Sequence, residues 1–186
     1  SAAEAKAYAQ LTKVKPVRIH LCIDTGMGRI GVWQDDAMKT AQEIAAIDGI
    51  KVESVSTHLP VAESDADFTA QELAGWDKLV GQLRPILPTA KFHALNSAGS
   101  LQRPEHAADR VRPGLALYGI SPLPDFQKLL RPVMTLKTRI TLVRDVGPGR
   151  GISYGRDFIT AQPMRIATLA MGYADGYPRQ TSNRGA

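Results

Sequence analysis

Apolar and polar positions follow two different rhythms along this chain. In the first, short runs with the two-residue period of a strand alternate with longer runs that have the 3.6-residue period of a helix. The predicted strands are 17–23, 51–58, 90–95 and 114–120 (a fourth strand or the continuation of the third), and the predicted helices are 3–12, 35–47, 65–83 and a short turn near 100–107. Asp35 or Asp36 is the expected N-cap of the second helix. Strands that start about 25 to 40 residues apart are typical of βα units in a parallel sheet.

The second rhythm begins after residues 122–131, where the helical period is lost. Strand-like runs at 133–146, 151–159 and 164–173 are separated only by glycine, proline and short turns. We therefore predict two domains: an α/β region at 1–125 and the first part of a mostly-β domain at 126–186. The pattern alone leaves open whether the parallel sheet is a (β/α) barrel or a doubly wound sheet.

Polar residues follow each strand of the first region. "DTGMGR" follows the first strand, His58 the second and Ser97 the third, while Arg112 and Gly114 precede the fourth. Alone, each has an ordinary structural explanation: Asp24 binding nearby amides, a core or capping His58, a surface ion pair for Arg112. Because the carboxyl ends of parallel strands meet at one edge, the set together indicates an active site there.

The residue types suggest an anionic ligand. Ser97, at the expected start of a short helix, is suited to bind phosphate together with backbone amides, and Gly114 allows close backbone approach. The planar cations of Arg29 and Arg112 suit a carboxylate or an aromatic nitrogen. In the β region Tyr154 lies between glycine turns, and a tyrosine that acts as an acid or base needs a lowered pKa.

Composition narrows the function classes. The net charge is +5, with basic residues scattered, so nucleic-acid binding is not indicated. No apolar run approaches the length of a membrane span, and no secretory signal is visible. The single cysteine excludes an internal disulfide or a thiolate metal cluster and fits a reducing, cytoplasmic setting. No P-loop, nucleophile elbow or metal motif is present, so we expect no metal.

Seven stretches, in order, resemble the alanine racemase family, the fold-type III enzymes that depend on pyridoxal 5'-phosphate. They are "DTGMGRIGV", "STHLPVAE", "NSAGSL", "VRPGLALYGISP", "LRPVMTLKTRI", "ISYG" and "MGYADGYPR". The resemblance runs from residue 17 nearly to the end. It implies part of a (β/α)8 TIM-type barrel that binds the cofactor, followed by the start of a mostly-β C-terminal domain.

The resemblance also implies catalytic roles. Tyr154 resembles the tyrosine that exchanges the proton on one face of the substrate α-carbon. His58 resembles the residue that hydrogen-bonds near that tyrosine and orients Arg112. Arg112 resembles the arginine that faces the pyridine nitrogen and keeps it unprotonated, which favours reprotonation at Cα over side reactions.

Binding roles follow in the same way. Ser97, Gly114 and Leu115 resemble contacts to the cofactor phosphate. Arg29 resembles the arginine near the phenolic oxygen of the cofactor and the substrate carboxylate. Tyr173 resembles the tyrosine that narrows the entrance from the other subunit of a head-to-tail homodimer.

The implied reaction is two-base racemisation of alanine, which supplies D-alanine for peptidoglycan precursors. The second base is a lysine in a stretch like "KANAYGHG", which residues 1–186 do not contain, so we expect this segment alone to be inactive. At Cys22 family members often carry a carbamylated lysine. The alternation of strand 17–23 points Cys22 into the barrel as a structural thiol, leaving a chloride or a nearby carboxylate to hold Arg29.

The sequence is also compatible with two alternatives. The departure at Cys22 is compatible with a serine or broad-specificity racemase of the same fold. A non-catalytic pyridoxal-phosphate carrier is the other alternative, although such carriers lack the β domain and its "SYG" tyrosine.

Overall fold

The computed structural model describes residues 1–11 and 15–182, and the chain divides between Val133 and Met134 into two compact units. The regular elements of the first unit are α1 (Ala2–Ala9), β1 (Val17–Asp24), β2 (Val32–Trp33), α2 (Ala37–Ala45), β3 (Ile50–Ser56), α3 (Ala66–Leu83), β4 (Lys91–His93) and α4 (Ser97–Gln102). Those of the second unit are β5 (Ile140–Val146), β6 (Gly151–Ile152), β7 (Phe158–Ile159) and β8 (Met164–Leu169). Our predicted boundary at 125/126 stays a prediction.

The first unit is built on a parallel four-stranded sheet. Its strand order is β2-β1-β3-β4, and β1 pairs with β3 from Val17–Ile50 to Cys22–Ser56, with a register shift after Ile19. The predicted order of strands and helices is thus confirmed up to β4, except that the short strand β2 was not predicted. Because all four strands run the same way, the segments that follow β1, β3 and β4 emerge at one edge of the sheet.

Helix α3 shows how the sequence determines the packing of this unit. Asp65 is its N-cap and accepts a hydrogen bond from the amide of Phe68 at 2.9 Å. Leu73, Trp76 and Leu83 recur at helical spacing and are fully buried. The predicted helix 65–83 is therefore confirmed to within one residue. Among the residues described, no helix is both long and apolar enough to cross a bilayer.

The start of α2 differs in detail from the prediction. A 3₁₀ turn, Gln34–Asp36, precedes the helix, and Asp36 occupies the N-cap position. Its side chain makes no capping hydrogen bond, and its backbone is already helical (φ −93°, ψ −3°), whereas capping side chains act from an extended backbone. The prediction that Asp36 occupies the N-cap position is thus confirmed, but its side chain does not cap the helix.

The predicted strand at 114–120 is wrong. Leu115–Tyr118 forms a 3₁₀ helix, with the amides of Leu117 and Gly119 bonded to the carbonyls of Gly114 and Ala116. Gly119 ends it in the left-handed conformation (φ 74°). The side chains of Leu115, Leu117 and Tyr118 are at least half exposed, and that of Ile120 is 46% exposed, so burial does not select a strand there.

The second unit contains two antiparallel pairs, β5–β8 and β6–β7. The predicted strand 133–146 forms only from Ile140, since β8 offers six residues for pairing. The predicted strand 151–159 is interrupted by a 3₁₀ turn at Tyr154–Arg156, and 164–173 ends as strand at Leu169.

Candidate active site

The loop after β1 is organised by Asp24. Its buried carboxylate (5% exposed) accepts hydrogen bonds from the amides of Gly26, Gly28 and Arg29, each at 3.0 Å. Burial alone would raise the pKa of Asp24, but these amides and that of Met27 outweigh it and lower the pKa. The structure thus shows the amide binding that the sequence suggested for Asp24, which fixes the backbone beneath Arg29.

The side chain of Arg29 extends from this loop to a cavity of about 190 Å³ that Cys22, His58 and Arg112 also line. Cys22 is only partly buried and lines this cavity, on the face of β1 opposite the buried Leu21 and Ile23, as the alternation predicted. The carboxylate that we expected to hold Arg29 is not found: no acidic side chain of residues 1–11 and 15–182 forms an ion pair with it. A chloride at this position stays a prediction.

Arg112 is held by neutral acceptors. Its Nη2 donates to the carbonyl oxygens of Thr57 (2.5 Å) and Ala94 (3.3 Å), and its Nη1 donates to the carbonyl of His93 (3.0 Å). The Nδ1 atoms of His93 and His58 also face the guanidinium, the latter at 3.4 Å. The surface ion pair that Arg112 suggested in isolation is therefore wrong, and its charge is available to a ligand in the cavity.

His93 is a site residue that the sequence analysis missed. Its side chain is 6% exposed, and burial, together with the charge of Arg112, lowers its pKa to about 4. The neutral imidazole can therefore accept a hydrogen bond from Arg112 at Nδ1. The alternation of side chains in the strand "KFH" could have indicated His93. Phe92 is fully buried on the helix side, so the next residue, His93, lies on the opposite, inner face.

Further polar side chains surround His93 on this inner face, and some of them line the first cavity. The ring of His20 stacks on that of His93, with centroids 5.3 Å apart, and its two nitrogens bond to the hydroxyls of Ser54 (2.6 Å) and Ser56 (2.8 Å). Burial, with the charge of Arg112, also lowers the pKa of His20. A neutral, hydrogen-bonded layer therefore supports Arg112.

A second cavity, of about 280 Å³, adjoins the first and shares His58 and Arg112 with it. Ser97, Gly114 and Leu115 line its other side. The pKa of His58 is lowered by burial and by the charges of the two arginines, so a neutral imidazole lies between the cavities. Five of the six first-unit residues predicted from the sequence thus meet around this cavity, and Arg29 lies in the adjoining one.

Ser97 links two segments at the edge of the second cavity. Its Oγ accepts hydrogen bonds from the amides of Gly114 (2.8 Å) and Ala116 (3.2 Å), so its own proton is free to be donated to an anion. The N-cap of α4 is Asn96, whose side-chain oxygen accepts a hydrogen bond from the amide of Gly99 at 3.0 Å. Capping by Asn96 leaves Ser97 available for binding.

The second cavity offers hydrogen-bond donors to an anionic ligand. A Cβ added to Gly114 would meet no heavy atom of the described residues within 4 Å, so a group can approach its backbone there. The Ser97 hydroxyl and the Arg112 guanidinium, which is held by neutral groups, both line this cavity. No group of three or more metal-ligating side chains occurs within residues 1–11 and 15–182.

In the second unit, Tyr154 and Tyr173 line one cavity of about 240 Å³ together with Asp157 and Arg179. Tyr154 is 90% exposed. The residues on both sides of it, Ser153 (φ 61°) and Gly155 (φ 77°), have left-handed backbone angles, so a tight turn presents the phenol.

Comparison with known proteins places these features in a family context. Residues 1–122 match the alanine racemase N-terminal domain and residues 133–186 match the alanine racemase C-terminal domain. A curated alanine racemase of Halothermothrix orenii is 41% identical over 177 residues, which cover 90% of this chain and 45% of the relative.

Solved structures show the same likeness. The crystal structure of alanine racemase from D-cycloserine-producing Streptomyces lavendulae is 33% identical, with a TM-score of 0.82 over 98% of this chain and 50% of that one. Alanine racemase from Bartonella henselae with covalently bound pyridoxal phosphate is 27% identical, with a TM-score of 0.73 over 96% and 49% of the two chains. The predicted fold class, part of a TIM-type barrel followed by a β domain, is confirmed. The chain spans about half the length of the relatives it matches.

Proposed function

Because the chain belongs to the alanine racemase family, we propose that it contributes the cofactor and substrate sites of a pyridoxal-phosphate-dependent enzyme that interconverts L- and D-alanine. The observation that carries this is the pair of adjoining cavities that share His58 and Arg112. One contains a hydroxyl suited to phosphate, and the other contains a second arginine suited to a carboxylate.

Pyridoxal phosphate, when bound, supplies a conjugated electron sink that acidifies the α-proton of an amino acid. Ser97, Gly114 and Leu115 would hold its phosphate, and Arg112 would face its ring nitrogen. A guanidinium stays protonated at all working pH values, so Arg112 would keep that nitrogen unprotonated. The carbonyls of Thr57 and Ala94, with His93, fix the plane of the guanidinium.

The substrate is oriented by Arg29 and deprotonated at Cα by a tyrosine. The carboxylate binds Arg29, whose backbone is held by Asp24. Tyr154 takes the proton on one face as a phenolate or returns it as a phenol, with His58 in support, and a lysine outside residues 1–186 serves the other face. Tyr173 narrows the entrance. Delivery of Tyr154 and Tyr173 by the second subunit of a head-to-tail homodimer, a cytoplasmic location and a role in peptidoglycan precursor supply are proposed from the family resemblance.

A serine or broader amino-acid racemase is the alternative that one observation favours. Cys22 lines the same cavity as Arg29, where it can contact a substrate side chain or alter the position of the arginine. The turnover of L-alanine, L-serine and L-lysine by the full-length protein separates the two functions.

Replacing Tyr154 by Phe tests the assigned chemistry. We expect turnover to fall by about 10² to 10⁴, the usual contribution of general acid–base catalysis, while the absorbance of bound cofactor is retained. Tyr8, which is 53% exposed on α1, provides the matched control Tyr8→Phe, with turnover unchanged. Unchanged turnover in Tyr154→Phe would show that another group moves the proton.

A further inference from the structure

Glu72 on α3 is a buried acid that the proposed site does not use. Its side chain is 7% exposed, and its Oε2 has no hydrogen-bond partner among the described residues. Its Oε1 accepts a hydrogen bond from Oγ1 of Thr25, in the loop after β1, at 2.5 Å. A buried carboxyl with one unpartnered oxygen costs stability, so its presence calls for another role.

The hydrogen bonds from Glu72 continue to Arg112. Oγ1 of Thr25 lies 2.5 Å from Oγ1 of Thr57, in the segment after β3. The carbonyl oxygen of Thr57 in turn accepts from Nη2 of Arg112 at 2.5 Å. Two side-chain bonds therefore join helix α3 to the residue whose carbonyl holds the guanidinium.

The same carboxyl lies against the loop that carries Arg29. A Cβ placed on Gly26 would come within 3.1 Å of the Phe68 ring and 3.7 Å of Oε1 of Glu72. This face of α3 thus packs directly on the loop. Thr25 is next to Asp24, whose carboxylate binds the amide of Arg29.

We propose that Glu72 is a positioning residue: through Thr25 and Thr57 it fixes the two loops that place Arg29 and Arg112. The inference rests on the proposed function in that both arginines serve cofactor and substrate. Burial raises the pKa of Glu72 and the charge of Asp24 adds to this, although the hydrogen bond from Thr25 opposes it. Gln has the same length, and its amide oxygen can accept the same hydrogen bond from Thr25, so Glu72→Gln keeps the link between α3 and the loop.

Three substitutions in the full-length protein test this. Glu72→Gln keeps an acceptor for Thr25, and Glu72→Leu removes it. Leu79→Ala, on a buried position of the same helix (5% exposed), destabilises the packing without touching the network. Each is measured for pyridoxal-phosphate affinity, for unfolding in urea and, in the cofactor-free protein, for hydrogen exchange of the Gly28 and Arg29 amides.

We expect Glu72→Leu to weaken cofactor binding at least about tenfold and to lose amide protection, with unfolding stability unchanged or increased. Glu72→Gln should behave as wild type, and Leu79→Ala should lose stability but keep the affinity. Wild-type affinity and protection in Glu72→Leu, or an equal loss in Leu79→Ala, would overturn the proposal. Wild-type protein that binds no pyridoxal phosphate would refute the proposed function, whereas the amide exchange would still decide the role of Glu72.

Discussion

Replacing His93 by Gln should remove much of the acid sensitivity of the fold between pH 6.5 and pH 4. The pKa of His93 is lowered from 6.5 to about 4 by burial and by the neighbouring charge of Arg112. Between these values the unfolded chain binds a proton that the native imidazole does not. The contribution of His93 to the free energy of unfolding is therefore fully present above pH 6.5 and is lost as the pH falls toward 4.

The size of this effect follows from the shift in pKa. Each unit of difference between the native and the unfolded pKa changes the free energy of unfolding by about 1.4 kcal/mol. His93 should therefore account for about 3 kcal/mol of stability between pH 6.5 and pH 4. Gln cannot titrate, and its amide oxygen can still accept a hydrogen bond from Arg112.

Urea unfolding of wild type and His93→Gln at half-unit intervals from pH 7.5 to pH 4 measures the difference. His20 and His58, whose pKa values are also lowered, and the carboxylates Asp24 and Asp109 contribute their own pH dependence to both proteins. The comparison therefore uses the difference between the two proteins in the slope of unfolding free energy against pH. His106→Gln, outside the site, is the control. Parallel curves for wild type and His93→Gln would refute the reasoning.

Two further predictions concern the loop after β1. Asp24→Ala should lower the free energy of unfolding by about 2 to 4 kcal/mol, because three amides lose a charged acceptor. Asp67 is exposed, so the control Asp67→Ala should change this free energy little. Equal urea midpoints for the two variants would contradict the prediction. Gly31→Ala should lower the free energy of unfolding by at least about 2 kcal/mol, since the φ of Gly31 is +114° and an added Cβ would lie 2.6 Å from the Cys22 carbonyl oxygen. Gly28→Ala is the control: its Cβ would meet no atom of the described residues within 4 Å, so the loss should be about 1 kcal/mol. Equal losses would show that the close contact does not matter.

The periodic features of the fold could be predicted from the sequence. Helix α3 and strands β1 and β3 have long, regular patterns of apolar residues. The polar residues that follow the strands meet because the carboxyl ends of parallel strands lie at one edge of the sheet. Leu115–Tyr118 was mistaken for a strand because an apolar run has no period that separates a buried strand from an exposed 3₁₀ turn.

The connections within the site could not be predicted in this way. The sequence indicates Arg112, but this residue is held by the backbone carbonyls of Thr57, His93 and Ala94 and by the imidazole of His93. Every residue has a backbone carbonyl, so the sequence cannot show which carbonyls bind the guanidinium. The contact of Glu72 with Thr25 joins residues 47 positions apart, and it depends on how α3 packs on the loop. Such contacts arise from tertiary geometry, which periodicity does not encode.

The racemisation of L-alanine by the full-length protein, with and without added pyridoxal phosphate, tests the central claim most directly. Polarimetry or a D-amino-acid assay would follow the product, with L-serine and L-lysine measured in parallel. We predict cofactor-dependent formation of D-alanine, faster than the D-forms of the other two substrates. Cofactor-loaded protein that leaves L-alanine unchanged, or that racemises serine faster, would contradict the account.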